Sequence, residues 1–99
     1  MISRHWRGLA KFGHADRYVE HLRTETFPSL AGLAGFLSAS ILRRETEEGT
    51  EFLVVTNWES IEAIERFAGR DTEAAVVPAK ARDHMIHYDR RARHYEVVE

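Results

Sequence analysis

The 99-residue chain contains no cysteine. A thiolate nucleophile and a cysteine-ligated zinc or iron–sulfur site are therefore both excluded. A chain of this length buries about 60–65% of the surface of its unfolded form, which is enough for a core without disulfide or metal cross-links. We expect a single domain over residues 1–99.

The sequence also lacks an excess of charge and any long apolar run. Lys and Arg number 14 against 16 Asp and Glu, a net charge of −2 that does not favour nucleic-acid binding. No window approaches the roughly 18 apolar residues of a membrane helix, and Met1 to Gly8 lack the apolar segment of a signal peptide. We therefore expect a cytoplasmic protein with neither nucleic acid nor membrane as a partner.

Proline is scarce as well, and the two prolines divide a pattern of strands and helices. The alternation over Ile2–Ala10 predicts a first strand. Apolar spacing from His14 predicts a first helix to about Thr26, which Pro28 must then kink or end.

The middle of the chain carries the clearest pattern. Phe36–Glu45 and Thr50–Trp58 predict two strands joined by a hairpin at Glu47-Glu48-Gly49. A second helix is predicted to begin after Ser60, a good N-cap, and to end at Gly69.

The last third is less regular. Thr72–Val77 is predicted as a short strand or coil, Pro78 as the first residue of a short helix to about His87, and Arg91–Val98 as a final strand. The resulting order βαββαβ predicts an α+β ferredoxin-like fold, an antiparallel sheet with both helices on one face.

The second and third strands carry apolar residues on both faces. One set is Phe36, Leu42, Phe52 and Val54, and the other is Leu37, Ile41, Leu53 and Val55. An uncovered apolar sheet face marks an association surface. We therefore predict a homodimer in which two sheets pack face to face.

Four short motifs give the chain a family resemblance over nearly its whole length. They are Glu25-Thr26-Phe27-Pro28, Gly35-Phe36, Thr56-Asn57-Trp58-Glu59-Ser60 followed by Ala63 and Phe67, and Arg93-His94-Tyr95-Glu96-Val97. With them the chain resembles the antibiotic biosynthesis monooxygenase superfamily, dimeric α+β barrels that include cofactor-free quinone-forming oxygenases and heme-degrading enzymes. The resemblance implies an apolar pocket between helices and sheet for a small aromatic or lipophilic molecule.

The heme-degrading branch relies on an Asn in the first strand, a Trp in the second helix and a ligand His shortly after it. Trp6, Phe67 and the neighbourhood of Val77 stand at those positions here. The resemblance therefore argues for no cofactor, with heme as an alternative that would need another histidine.

His84 and His87 are candidates for that role because they lie three residues apart on the predicted short helix. The spacing can present two imidazoles to a metal, or one to a heme iron or a substrate proton. No third ligand adjoins them, so we predict no metal site, and two solvated surface histidines are the alternative reading.

The other candidates surround the predicted pocket. Asn57 can donate to an enolate-like oxygen, and Tyr18 has a hydroxyl that needs a partner if buried. Trp58, Trp6, His5 and Phe67 are the predicted substrate-binding residues, although Trp58 also suits the core and His5 and Trp6 face opposite sides of their strand.

Three functions remain open on this basis. The first is a cofactor-independent monooxygenase, or related oxidoreductase, with His84, His87, Asn57 and Tyr18 as catalytic candidates. The second is a divergent heme-binding protein, and the third a non-catalytic dimeric module that binds a small ligand.

Overall fold

A computed structural model describes all of residues 1–99 as one antiparallel sheet with helices. The strands are β1 (Ile2–Ala10), β2 (Phe36–Glu45), β3 (Thr50–Trp58), β4 (Met85–Tyr88) and β5 (Arg93–Glu96). The helical segments are α1 (Ala15–His21), a π-helical segment (Leu22–Thr26), α2 (Phe27–Ala31), α3 (Ile61–Ala68) and α4 (Ala79–Arg82). The strand order is β2-β3-β1-β4, with β5 also paired to β1. This is the predicted α+β ferredoxin-like arrangement with its last strand in two parts.

The hairpin and the helix after it form where the sequence predicts them. The β2–β3 connection closes with Thr46 donating its backbone N–H to the Gly49 carbonyl at 2.8 Å. Ser60 caps α3, because its Oγ accepts the Ala63 N–H at 3.2 Å. Gly69 ends the helix at φ 87°, a conformation that glycine adopts at little cost.

The predicted helix from Pro78 to about His87 is wrong beyond Arg82. The helix α4 has only four residues, and the chain from Met85 pairs with the end of β1. That pairing buries the Met85 side chain in the core, which a continued helix would not do. His84 therefore lies in a turn and His87 on a strand, so the two share no helical face.

The first helical region continues through Pro28 because its geometry widens before the proline. Phe27 donates to the carbonyl of Leu22, five residues earlier, as in a π-helix. Pro28, which has no N–H to give, then occupies the first turn of α2. The predicted kink is thus a wide turn, and the helix itself is not interrupted. All helices are too short or too polar to span a membrane.

The sheet has a covered face and an uncovered one. Phe52, Val54 and Trp58 point to the helices and are buried. The hairpin register sets Ile41 opposite Val54 and Leu42 opposite Leu53, so the predicted grouping of Leu42 with the buried set and of Ile41 with the other set is wrong. A register shift between Phe36 and Ser38 explains this, because it reverses the side-chain phase within β2.

Candidate functional site

A cavity of about 70 Å³ lies between the helices and the covered face of the sheet. Arg4 and Trp6 border it from β1, Tyr18 from α1, and Phe67 from α3. Ten of its fourteen bordering residues are hydrophobic, so it suits a mainly apolar molecule. Its volume corresponds to about five to seven water molecules at roughly 10–15 Å³ each.

Trp6 reaches the cavity because the neighbouring position on its side of β1 has no side chain. A Cβ on Gly8 would lie 2.6 Å from Cη2 of Trp6 and 2.9 Å from Sδ of Met85. The indole occupies that space, and its Nε1 donates to the Asp89 carbonyl at 2.9 Å. The glycine and this bond fix the ring as one wall of the cavity.

Tyr18 forms a second wall. Its ring is 2% exposed and packs edge-on against Phe52, with centroids 4.9 Å apart. Burial raises the pKa of the Tyr18 hydroxyl, because the phenolate would lose its hydration. Tyr18 therefore remains a neutral hydrogen-bond donor near neutral pH.

Arg4 brings a buried positive charge to the cavity. The residue is 5% exposed, and its guanidinium donates to the carbonyl oxygens of Thr72 and Ala74 and contacts Nε2 of His94 at 2.7 Å. Its Cζ also lies 5.6 Å from the centre of the Phe67 ring, within cation–π range. Burial lowers the pKa of Arg4, and the negative charge of Glu73 opposes that shift.

The cavity adjoins a groove of about 240 Å³ that shares four of its bordering residues, among them Thr26 and Val76. His21, Glu25 and Lys80 line this groove. Nδ1 of His21 lies 3.0 Å from a carboxylate oxygen of Glu25, and Lys80 donates to the other oxygen at 3.1 Å. The hydrogen bonds from Lys80 and then from His21 lower the pKa of Glu25.

His21 has one unsatisfied ring nitrogen. The residue is 8% exposed, and its Nε2 is enclosed without a hydrogen-bond partner. Because an ionised Glu25 accepts a proton from Nδ1, the neutral ring carries its lone pair at Nε2. Buried polar atoms nearly always have partners, so an exception of this kind invites a functional explanation.

The predicted site residues fall into separate places. Trp6, Tyr18 and Phe67 border the cavity together. Trp58 is 0% exposed and packs in the core, with Nε1 donating to Oγ1 of Thr56 at 2.9 Å.

The remaining candidates lie away from the cavity. His5 and Asn57 sit on the uncovered face of the sheet, where they bond Ser3 and Ser38 respectively. His84 pairs with His14, their Nδ1 atoms 3.1 Å apart, and no third ligand completes a metal site there. His87 is exposed on β4.

Two residues of this region, Arg4 and His21, are absent from the sequence-based candidates. Arg4 stands two positions from Trp6, so the alternation of β1 places both side chains on one face. His21 follows Tyr18 by three residues and precedes Glu25 by four, a spacing that joins them on one side of a helix. The sequence therefore contains a signal for both residues, one in the strand alternation and one in the helical spacing.

A comparison of the sequence with protein-family models gives the class of protein. Residues 1–79 match the model of the antibiotic biosynthesis monooxygenase family, and the chain belongs to that family. None of the functionally curated proteins matches it.

Two solved structures share its fold. One is a Bacillus cereus protein provisionally described as an antibiotic biosynthesis monooxygenase, with TM-score 0.69 and 24% identity over 100% of this chain and 93% of that one. The other is a variant of MhuD with two manganese protoporphyrin IX molecules per active site, with TM-score 0.70 and 23% identity over 100% of this chain and 96% of that one. At these identities the likeness establishes the fold.

Proposed function

We propose that the chain is a cofactor-independent monooxygenase that oxidises a small aromatic, quinol-like molecule in the cavity between helices and sheet. The observation that carries this proposal is an apolar cavity with two buried polar groups, Arg4 and Tyr18, on its wall. Such a cavity excludes water from a reactive carbanion while leaving donors to stabilise its oxygen.

The proposed reaction needs only a base and dioxygen. A base removes a proton from a ring CH₂ group that is activated by a neighbouring phenol or carbonyl. The carbanion reduces O₂ and combines with it to a peroxide, which loses water and leaves a carbonyl carbon. One oxygen atom enters the product and the other leaves as water, so R₂CH₂ and O₂ give R₂CO and H₂O. Tyr18, held neutral by burial, donates to the substrate oxygen that carries the negative charge.

His21 is the proton acceptor in this proposal. It borders the groove and not the cavity itself, so the carbon that loses the proton would lie where the groove and the cavity meet. Its Nε2 has no other partner, and Glu25 fixes the ring so that this nitrogen carries the lone pair. The pair borders the groove through which a molecule would reach the cavity. The same Glu25 stabilises the imidazolium that forms when the proton is taken.

The test is oxygen uptake with a panel of aromatic hydroquinones and anthrone-like ketones. We expect turnover by the native chain, a fall of about 10²–10⁴-fold in His21→Gln, and a smaller fall in Tyr18→Phe. The matched control is Glu20→Gln, an exposed position beside His21. Full activity in His21→Gln would remove this base, and saturable binding of the panel without oxygen uptake would favour the non-catalytic module.

Heme does not fit the cavity residues. No histidine is among the side chains that border the cavity. His84 bonds His14 and His87 is exposed, so neither is placed to hold an iron there. We therefore derive no step through heme. An aerobic hemin titration of the native chain and of the double variant His84→Ala and His87→Ala checks this. A saturable Soret change in the native chain that is lost in the variant would favour heme binding through these histidines.

We also propose that the active form is a homodimer joined through the uncovered sheet faces. Leu42 is 49% and Tyr95 51% exposed on that face, beside the partly buried Leu53 and Val55. A charge within this face should weaken association by at least about tenfold, because it must be desolvated. Sedimentation of Leu42→Glu against Glu47→Gln, an exposed hairpin control, measures this. A native chain that is monomeric at micromolar concentration would overturn the proposal.

A further inference from the structure

Arg4 differs from the arginines that form ion pairs in this molecule. Arg7, on the same strand but the other face, is half exposed and lies 2.7 Å from a carboxylate oxygen of Glu51. Arg4 is almost fully buried, and no carboxylate lies within ion-pair distance of it. Its partners are two backbone carbonyls and the Nε2 of His94, all neutral acceptors.

A buried charge without an ionic partner is unusual in a folded protein. Transfer of an isolated ion from water into a protein interior costs several kcal/mol, so buried charges are normally paired. Glu73, whose negative charge opposes the fall in the pKa of Arg4, instead accepts the backbone N–H of His94 at 3.1 Å. The fork of N–H groups that guanidinium offers also suits a carboxylate in a bidentate pair.

We propose that Arg4 is the counter-ion of the ligand, and that the cavity takes an aromatic molecule bearing a carboxylate or another ionised oxygen. The aromatic part would contact Trp6 and Phe67, and the anionic group would meet the guanidinium. The inference names the substrate class of the proposed oxygenase, and it rests on that function only in placing the ligand in this cavity. Nothing else within the cavity carries a full positive charge.

A structural role for Arg4 makes a different prediction. Its bonds to Thr72 and Ala74 tie the segment before α4 to β1, and a residue that did only this would give the cavity no preference for charge. The comparison of two ligands of equal shape and different charge therefore separates the two roles without any mutation.

The experiment is isothermal titration of the native chain with 2-naphthoate and with 2-naphthamide at pH 7.5 and low salt. We expect 2-naphthoate to bind at least about tenfold more tightly, the effect of one charge-assisted hydrogen bond. Equal affinities, or tighter binding of the amide, would overturn the inference and leave the proposed cavity in place. Binding of neither probe would overturn the inference and the proposed function together.

Variants then assign the preference to Arg4. In Arg4→Gln the two affinities should become equal, while Arg4→Lys should retain part of the preference and Arg7→Gln, the control on the same strand, all of it. Circular dichroism shows whether each variant is folded. If Arg4→Gln is unfolded, the affinities of Arg4→Lys and of the native chain for the two probes decide whether Arg4 carries the preference. A folded Arg4→Gln that still prefers 2-naphthoate would overturn the assignment.

Discussion

The two tryptophans lie on the same face of the sheet in opposite surroundings. Trp58 is 0% exposed, stacked on Phe67 with centroids 5.9 Å apart and edge-on to Phe36 at 5.3 Å. Trp6 has its nearest aromatic neighbours, Tyr88 and Tyr18, at 6.2 and 6.3 Å, and it borders the cavity. The space around Trp58 is filled by packing, whereas Trp6 borders an open cavity.

The difference indicates that one group of residues contributes mainly to stability and another mainly to ligand binding. The cluster around Trp58 consists of buried apolar side chains that pack against one another: Leu30, Trp58, Ala63 and Ile64. Around the cavity and the groove beside it, Arg4, Tyr18 and His21 bring polar groups that a core would normally exclude. Polar groups that are buried around the cavity at a cost to stability are the groups to which a ligand can bind.

The largest effect should follow from removing the packed indole. Trp58→Ala is expected to lower the free energy of unfolding by about 3–5 kcal/mol, because it leaves a large void in a filled core. Trp6→Ala should cost less, since its ring already borders a cavity. Urea unfolding of both variants measures the difference. A loss below about 1 kcal/mol for Trp58→Ala would mean that the core around Trp58 is not tightly packed.

An intermediate effect is expected at Gly8. The Cβ of Gly8→Ala would meet both Trp6 and Met85 at less than 3 Å, so the indole must shift into the cavity. Overpacking of this kind costs about 1–3 kcal/mol, and ligand binding should weaken with it. Gly32→Ala is the control, because its Cβ meets nothing nearer than 3.8 Å. Unchanged stability and binding in Gly8→Ala would show that the Trp6 wall is not fixed.

The smallest effect concerns the pH dependence contributed by His94, which contacts Arg4. Burial, followed by the charge of Arg4, lowers the pKa of His94 below its usual 6.5. Between the folded and the unfolded pKa the unfolded chain binds a proton that the folded chain does not, so stability falls as the pH drops below about 6.5. His5 and His84 shift in the same direction. His94→Gln should therefore reduce, without abolishing, the fall in melting temperature between pH 7.5 and 5.5, and an unaltered fall would contradict this.

Sequence patterns predicted the elements that local residues determine. The β2–β3 hairpin and α3 appear within their predicted bounds, because runs of apolar residues together with Gly49, Ser60 and Gly69 act over a few positions. The strand β4 escaped prediction because four residues carry too little periodicity, and its state depends on pairing with β1.

The site was less predictable for a related reason. Tyr18 and Phe67 follow from helical spacing, but which face of β1 meets the helices is decided by tertiary pairing. If the Trp6 side chain faces the helices, the Arg4 side chain must face them too. Only the pairing of β1 within the complete sheet determines which face of the strand this is. The pairing of His84 with His14, 70 positions apart, has no local signal at all.

The divided edge strand also has a kinetic consequence. Between β4 and β5 the chain leaves β1 and instead holds the segment before α4, through bonds from the Ala75 N–H to Arg90 and from the Ala92 N–H to Glu73 at 2.9 and 2.7 Å. That segment leads directly into Val76 and Val77 on the cavity wall. The residence time of a bound molecule should therefore track the opening of these two bonds, which the deuterium exchange of the Ala75 and Ala92 amides measures.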